Sequence, residues 1–160
     1  MKYNIKQQVF SFGDNFTIKN EYDEPVLIVK GKAFSLADKL SIFDLHMNEL
    51  FYIEQKAFTL LPEYFIYQNN EEIAHLKKEF SFFKPKINIR SNYGSFSIDG
   101  DINNHNFTVK QDGISVAAIN KKFFSLGDYY TLELFVNKNI DFLITLVIII
   151  DQMLQDGNNN

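Results

Sequence analysis

The sequence predicts a mainly β protein: a closed antiparallel twelve-stranded β-barrel enclosing a hydrophobic C-terminal α-helix. Three observations carry that expectation. A short phrase recurs as Phe10-Ser11-Phe12, Phe34-Ser35-Leu36, Phe58-Thr59-Leu60, Phe80-Ser81-Phe82 and Phe124-Ser125-Leu126, its first Phe spaced by 24, 24, 22 and 44 residues. Short β-branched and aromatic runs alternate with turn residues along most of the chain. The C-terminal stretch shows neither habit and is apolar nearly all round from Phe142 to Ile150.

The repeat fixes the number of strands. Eight residues after the phrase stands an apolar residue in four copies: Ile18, Ile42, Ile66 and Leu132. The fourth copy slips by one, with Ile87 and Ile89 flanking Asn88. The last spacing is twice 22, so a further slot falls near residue 102, where Gly100-Asp101-Ile102 keeps the spacing without the phrase. Six units of 22–24 residues result, each the size of a hairpin and its connection.

Taken in order, Lys2–Phe10 opens the series. Asn15–Lys19, the turn Asn20–Pro25 and Val26–Val29 form the next pair of strands. Leu40–Asp44 and Leu50–Lys56 flank a turn at His46–Asn48, and Tyr64–Tyr67 and Glu72–Phe80 flank Gln68–Glu71. Lys86–Ser91 turns at Asn92-Tyr93-Gly94 into Ser95–Ile98. Asn106–Lys110 and Ile114–Ile119 are joined through Asp112-Gly113, a strong hairpin signal, and Tyr129–Val136 closes the set. The helix spans about 139–155, with Asn139 or Asp141 at its start. A helix apolar on every side must be buried on every side, and a closed barrel does that while removing sheet edges. One domain over 1–156 is expected, with 157–160 as a disordered tail.

Composition narrows the function. The 160 residues carry a net charge of −4, which offers no global field for nucleic acid. With no cysteine, thiolate metal sites, Fe–S clusters and cysteine nucleophiles are excluded. The Met1–Lys6 opening is polar and lacks the apolar core of a signal peptide, and the apolar run at Val147–Ile150 is far shorter than the ~20 residues a bilayer needs. A cytoplasmic protein that does not span the membrane, at most peripheral to it, is expected. Seventeen asparagines and eighteen isoleucines point to an AT-rich bacterial genome.

Several phrases resemble bacterial LURP-one-related proteins. They are Ile5-Lys6-Gln7 leading to Phe10-Ser11, Val29–Ser35, Lys39-Leu40, Glu49-Leu50 with Ile53–Lys56, Val116–Ser125, and the closing Leu146–Asp151. Leu126 and Tyr130 depart from the family's phrases as packing variation. The resemblance implies the fold of tubby C-terminal domains and phospholipid scramblases, a twelve-stranded barrel around a helix. Tubby-type domains bind phosphoinositides through basic side chains, but a fold does not transmit function.

Chemistry by motif is sparse. There is no Gly-x-Ser-x-Gly elbow, and a Ser or Thr repeated five times reads as a strand-end hydrogen bond, not a nucleophile. His46, His75 and His105 lie 29 and 30 residues apart and read as surface or strand histidines. Asp99, Asp101 and Asn103 start like a calcium loop, but Asn104 replaces the needed Gly and Lys110 the needed Glu, so a polar hairpin tip is expected. No cofactor, metal or catalytic residue is assigned. The lysines are the distinctive feature: Lys32, Lys56, Lys78 and Lys122 each precede a repeat Phe by two, with Lys30, Lys77 and Lys121 beside them. Lys30, Lys32, Lys77, Lys78, Lys121 and Lys122 are therefore the expected contacts for an anionic lipid headgroup at one rim. Lysines at strand ends also discourage edge pairing, and the only arginine, Arg90, gives little bidentate phosphate binding. Lys32 and Phe34 share one strand parity, a conflict that needs a bulge. The expected function is a non-enzymatic binding or scaffold domain. The alternatives are a protein-partner adaptor, or a small-ligand carrier or enzyme with a pocket at a barrel end. Bulky Phe142, Leu143, Leu146, Ile149 and Met153 in the helix argue against a hollow interior.

Overall fold

Alternating apolar and polar side chains commit each strand to one inner and one outer face. The computed structural model describes residues 1–6, 15–31, 39–82, 84–124 and 127–156. The strands are β1 (Lys2–Lys6), β2 (Phe16–Asn20), β3 (Pro25–Gly31), β4 (Lys39–Phe43), β5 (Glu49–Gln55) and β6 (Glu63–Gln68). They continue as β7 (Glu71–Glu79), β8 (Lys86–Ser91), β9 (Gly94–Asp101), β10 (Asn106–Gln111), β11 (Ile114–Phe124) and β12 (Gly127–Leu134), followed by helix α1 (Ile140–Asp156). Each strand pairs antiparallel with its neighbours in sequence, and β1 pairs with β12, so the barrel closes with no crossover. The tail expected at 157–160 lies outside the described residues.

The inner face is the one the repeat marks. Ile18, Ile42, Ile66 and Leu132 are all fully buried, one on each of β2, β4, β6 and β12. The fourth unit keeps both flanking isoleucines inside, Ile87 and Ile89, with Asn88 outside. Turns between strands use residues that tolerate positive φ: Asn69 and Asn70 between β6 and β7, and Asp112 and Gly113 between β10 and β11.

Helix α1 fills the lumen. The Asn139 carbonyl accepts the Leu143 N–H at 2.9 Å, which places Asn139 at the start of the helix. Phe142 packs among Phe51, Tyr93 and Phe96, and every residue from Phe142 to Leu154 is buried. Thr145, a polar residue within the apolar stretch, donates its hydroxyl to the Asp141 carbonyl at 2.7 Å, so it carries no unmet bond. The five large helix residues expected to occupy the interior do so: Phe142, Leu143, Leu146, Ile149 and Met153 are each at most 1% exposed.

Strand direction gives the barrel two distinct rims. All odd-numbered strands run the same way and end at what we term the upper rim. Strand β12 ends at the lower rim, where α1 enters, so the helix finishes at the upper rim. The two fully described copies of the phrase, Phe58–Leu60 and Phe80–Phe82, follow the odd-numbered β5 and β7, and Lys56, Lys77 and Lys78 lie at or near the ends of the same strands, so these residues stand at that end.

Candidate functional site

At the upper rim the described copies of the phrase sit in connections beyond the strand ends. Phe58 has φ 58° in the loop after β5 and is 94% exposed. Leu60 is 86% exposed, Phe80 is 79% exposed, and Phe82 is fully exposed. A soluble domain normally hides such side chains. In the two described copies the hydroxyls make local turn bonds. Thr59 Oγ1 donates to the Lys56 carbonyl at 3.3 Å, and Ser81 Oγ accepts the Lys84 N–H at 3.5 Å.

Charge divides between the rims. At or beside the lower-rim turns stand Glu21, Asp23, Glu24, Asp44, Glu71 and Glu72, which outnumber Lys19, paired with Asp23 at 2.9 Å, and Lys138. Around the upper rim stand Lys30, Lys56, Lys77, Lys78, Lys84 and Lys86. Several upper-rim carboxylates are engaged locally. Glu79 meets Lys86 at 2.6 Å, Asp99 meets Lys110 at 3.0 Å, and Asp101 accepts from the Asn104 side chain at 2.7 Å. These contacts hold the carboxyls of Glu79, Asp99 and Asp101 below their ordinary values. The acidic tip expected at Asp99–Asn106 is thus bound up in its own hairpin.

Of the six predicted lysines, the five on described strands stand on three separate strands. Lys30, Lys77, Lys78, Lys121 and Lys122 lie toward the upper ends of β3, β7 and β11, which are four strands apart around the barrel. At about 4.8 Å per strand that separates neighbouring sets by roughly 19 Å. Lys30 Nζ lies 5.3 Å from the Phe43 ring centroid, a cation–π contact on the outer wall. Lys32 lies outside the described residues, and Lys121 pairs with Tyr130 and Lys122 with Tyr129 along the backbone. Lys77 is exposed and Lys78 half-buried, and both line a cleft of about 1180 Å³.

That cleft lies where β8 and β9 part. Lys86 and Arg90 edge it, Leu60 and Phe80 flank it, and Ile87, Ile89, Phe96, Ile98 and Ile102 line it. No sequence signal named Arg90 or Lys86 as neighbours of Lys77. The pairing of Lys77 with Asn88 and His75 with Arg90 brings them together. On the adjoining outer wall, buried Glu63 accepts from His75 Nε2 at 2.8 Å and from Lys56 at 3.4 Å. Burial pushes the Glu63 carboxyl up, but the His75 bond and the Lys56 charge outweigh it, leaving it below the ordinary value. Phe65 stacks flat on His75 with 4.6 Å between centroids.

The histidine reading needs one correction. His46 lies in an exposed turn and His75 on a strand, but His105 is a buried residue within the barrel end, 6% exposed. Its Nε2 bonds to Asp151 Oδ1 near the end of α1, and its ring stacks on Tyr130 at 5.5 Å. Burial, and then the nearby Asp151 charge, push the Tyr130 hydroxyl well above its ordinary value. The pair pins the end of the helix to the β9–β10 connection. Among the described residues no group of three His, Asp or Glu side chains is placed to hold a metal ion.

Comparison with known proteins agrees with this architecture. The model of the LURP-one-related family matches residues 1–151. The uncharacterised protein YxjI of Bacillus subtilis is 33% identical over 156 residues, covering 97% of this chain and 94% of its own. An X-ray structure of a protein from Arabidopsis thaliana aligns with a TM-score of 0.64 at 16% identity, covering 94% of this chain and 90% of that one. That last likeness concerns the fold alone. Among the described residues no helix is long and apolar enough to cross a membrane.

Proposed function

The chain belongs to the LURP-one-related family, and from that premise we propose that it is a non-enzymatic binding or scaffold domain whose upper rim docks on an anionic phospholipid surface, as a cytoplasmic protein peripheral to the membrane. The observation that carries this reading is the coincidence, at one rim, of lysines with Phe58, Leu60, Phe80 and Phe82 exposed to water. Lysines near an anionic bilayer contribute about 1 kcal/mol each, and exposed aromatic side chains enter the headgroup region. The acidic lower rim adds orientation, because the same field repels that end. The helix-filled lumen supports a surface binder over a carrier of interior ligands.

Vesicle co-sedimentation tests the reading. Anionic vesicles should retain the protein at low salt and less of it at physiological salt, where the Debye length is about 8 Å. Neutral vesicles should retain little. Lys77→Glu with Lys78→Glu, and separately Phe80→Ser with Phe82→Ser, should each reduce retention by roughly tenfold. Equal retention on neutral and anionic vesicles, or none at either salt, would sink it. A protein partner is the second reading, favoured by the gap between β8 and β9.

A further inference from the structure

We propose that the gap between β8 and β9 is a strand-addition site for an extended segment of another protein, one whose side chains alternate apolar and acidic. This goes beyond the membrane reading and does not depend on it.

The backbone supplies the first argument. Strand β8 is paired with β7 along its whole length, Lys86 to Ser91, and β9 is paired with β10 from Phe96 to Asp101. Between β8 and β9 there are three pairs only: Ile89↔Phe96, Arg90↔Ser95 and Ser91↔Gly94. Above them Lys86–Asn88 and Ser97–Asp101 do not pair with each other, so each strand keeps one edge open toward the cleft. Gly100 explains part of the divergence. With φ 120°, it holds β9 so close to β10 that an added Cβ would lie 2.8 Å from the Asn106 carbonyl oxygen. Among the described residues only β1 and β2 share fewer pairs, and that site borders residues that are not described. Strand edges left open in this way are templates for another strand.

The side chains supply the second. Inward positions Ile87, Ile89 and Phe96, with Ile98 and Ile102, form an apolar floor for alternate residues of an entering strand. On the outer side, Lys77 and Arg90 make no salt bridge among the described residues, Arg90 lying 3.5 Å from His75 Nδ1, while Glu63 and Glu79 are bonded to His75 and Lys86. An acidic chain thus keeps a cationic rim around this one gap. A hydrocarbon ligand would cover the floor but leave both strand edges unpaired. An extended peptide satisfies the edges, the floor and the cations together. Five residues of β9, Ser97–Asp101, set the added strand at roughly 16 Å.

Fluorescence anisotropy with labelled synthetic peptides tests this on the whole chain. The probe is an alternating valine–glutamate peptide of about eight residues, strand length. It is compared with the same peptide N-methylated at alternate amides, and with an alternating valine–lysine peptide. The valine–glutamate peptide should bind, and N-methylation should weaken it by roughly tenfold or more through lost edge bonds. Arg90→Glu with Lys77→Glu should weaken it similarly, the variant's fold being checked by circular dichroism. Amide exchange should slow at Lys86–Asn88 and Ser97–Asp101 when the peptide is bound. No binding of the valine–glutamate peptide, equal binding of its N-methylated form, or protection confined to other strands overturns the proposal. So does complete displacement by anionic vesicles together with exchange protection only in the rim loops, which assigns the contact to the membrane surface.

Discussion

Ile148→Ala probes the threaded helix at its centre. Leu146, Val147, Ile148 and Ile149 are consecutive and each at most 1% exposed. Successive helical residues point about 100° apart, so four in a row sweep the full circumference of the helix. Only walls on all sides bury them together. The substitution removes three carbons, about 2.4 kcal/mol of transfer free energy at about 0.8 kcal/mol each. The cavity left, about 75 Å³ at about 24 cal/mol per Å³, adds about 1.8 kcal/mol. The expected loss is therefore about 4 kcal/mol, a large fraction of the 5–15 kcal/mol, roughly, that such a domain has. Urea unfolding reads it as a lower midpoint at unchanged slope. Ile114→Ala, at a site 69% exposed on the outer wall, is the control and should cost no more than about 0.5 kcal/mol. Equal losses at the two positions would refute the buried-helix reasoning. Ile148→Asp pushes the same logic further: an unpaired carboxylate at the barrel's centre should leave no cooperatively folded protein, and a soluble, cooperative I148D would refute it as firmly.

Two further predictions concern polar groups. Asp151→Leu alone strands buried His105 and should cost about 3–5 kcal/mol in urea unfolding, whereas Asp151→Leu with His105→Phe should cost less; a double variant at the simple sum would show the two side chains to be independent. Glu63 has a folded pKa below its unfolded value of about 4.5, so its contribution is present above pH 4.5 and is lost as pH falls through the lower folded value. Glu63→Gln should therefore flatten the acid limb of stability below about pH 4.5, and identical slopes for the two proteins would contradict the bond to His75.

Much of the fold was legible because a barrel of hairpins is itself periodic. Equal units return the chain to the same height, so in four copies the residue eight after the phrase is buried inside the barrel, as Ile18, Ile42, Ile66 and Leu132 are. Height is all such a period conveys. Position around the barrel depends on strand order, so Lys78 and Lys122, which share a spacing, share a rim yet stand on β7 and β11, four strands apart. The parity conflict between Lys32 and Phe34 lies outside the described residues. In the unit that follows, Phe58 lies past the end of β5, where strand parity no longer applies. His105 and Asp151 carried no signal at all, being 46 residues apart and joined only when the helix threads the closed sheet.

The repeat is most informative where it fails. Its fourth copy comes after 22 residues instead of 24, shifts its apolar residue to either side of Asn88, and leads to a fifth slot without the phrase. Those two irregular units are β8–β9 and β10–β11, and inside the first of them strand pairing stops after three residue pairs. A closed barrel gains stability from each completed ladder, so an interruption at one boundary is a cost the rest of the sheet must offset. Lys77, Lys78 and Arg90 converge on that boundary, beside the exposed Phe80. Packing alone gives no reason to place cations and a bare aromatic beside a ladder of only three pairs. The partner strand proposed for the gap supplies one, and that proposal rests on the break in the repeat, not on the repeat itself.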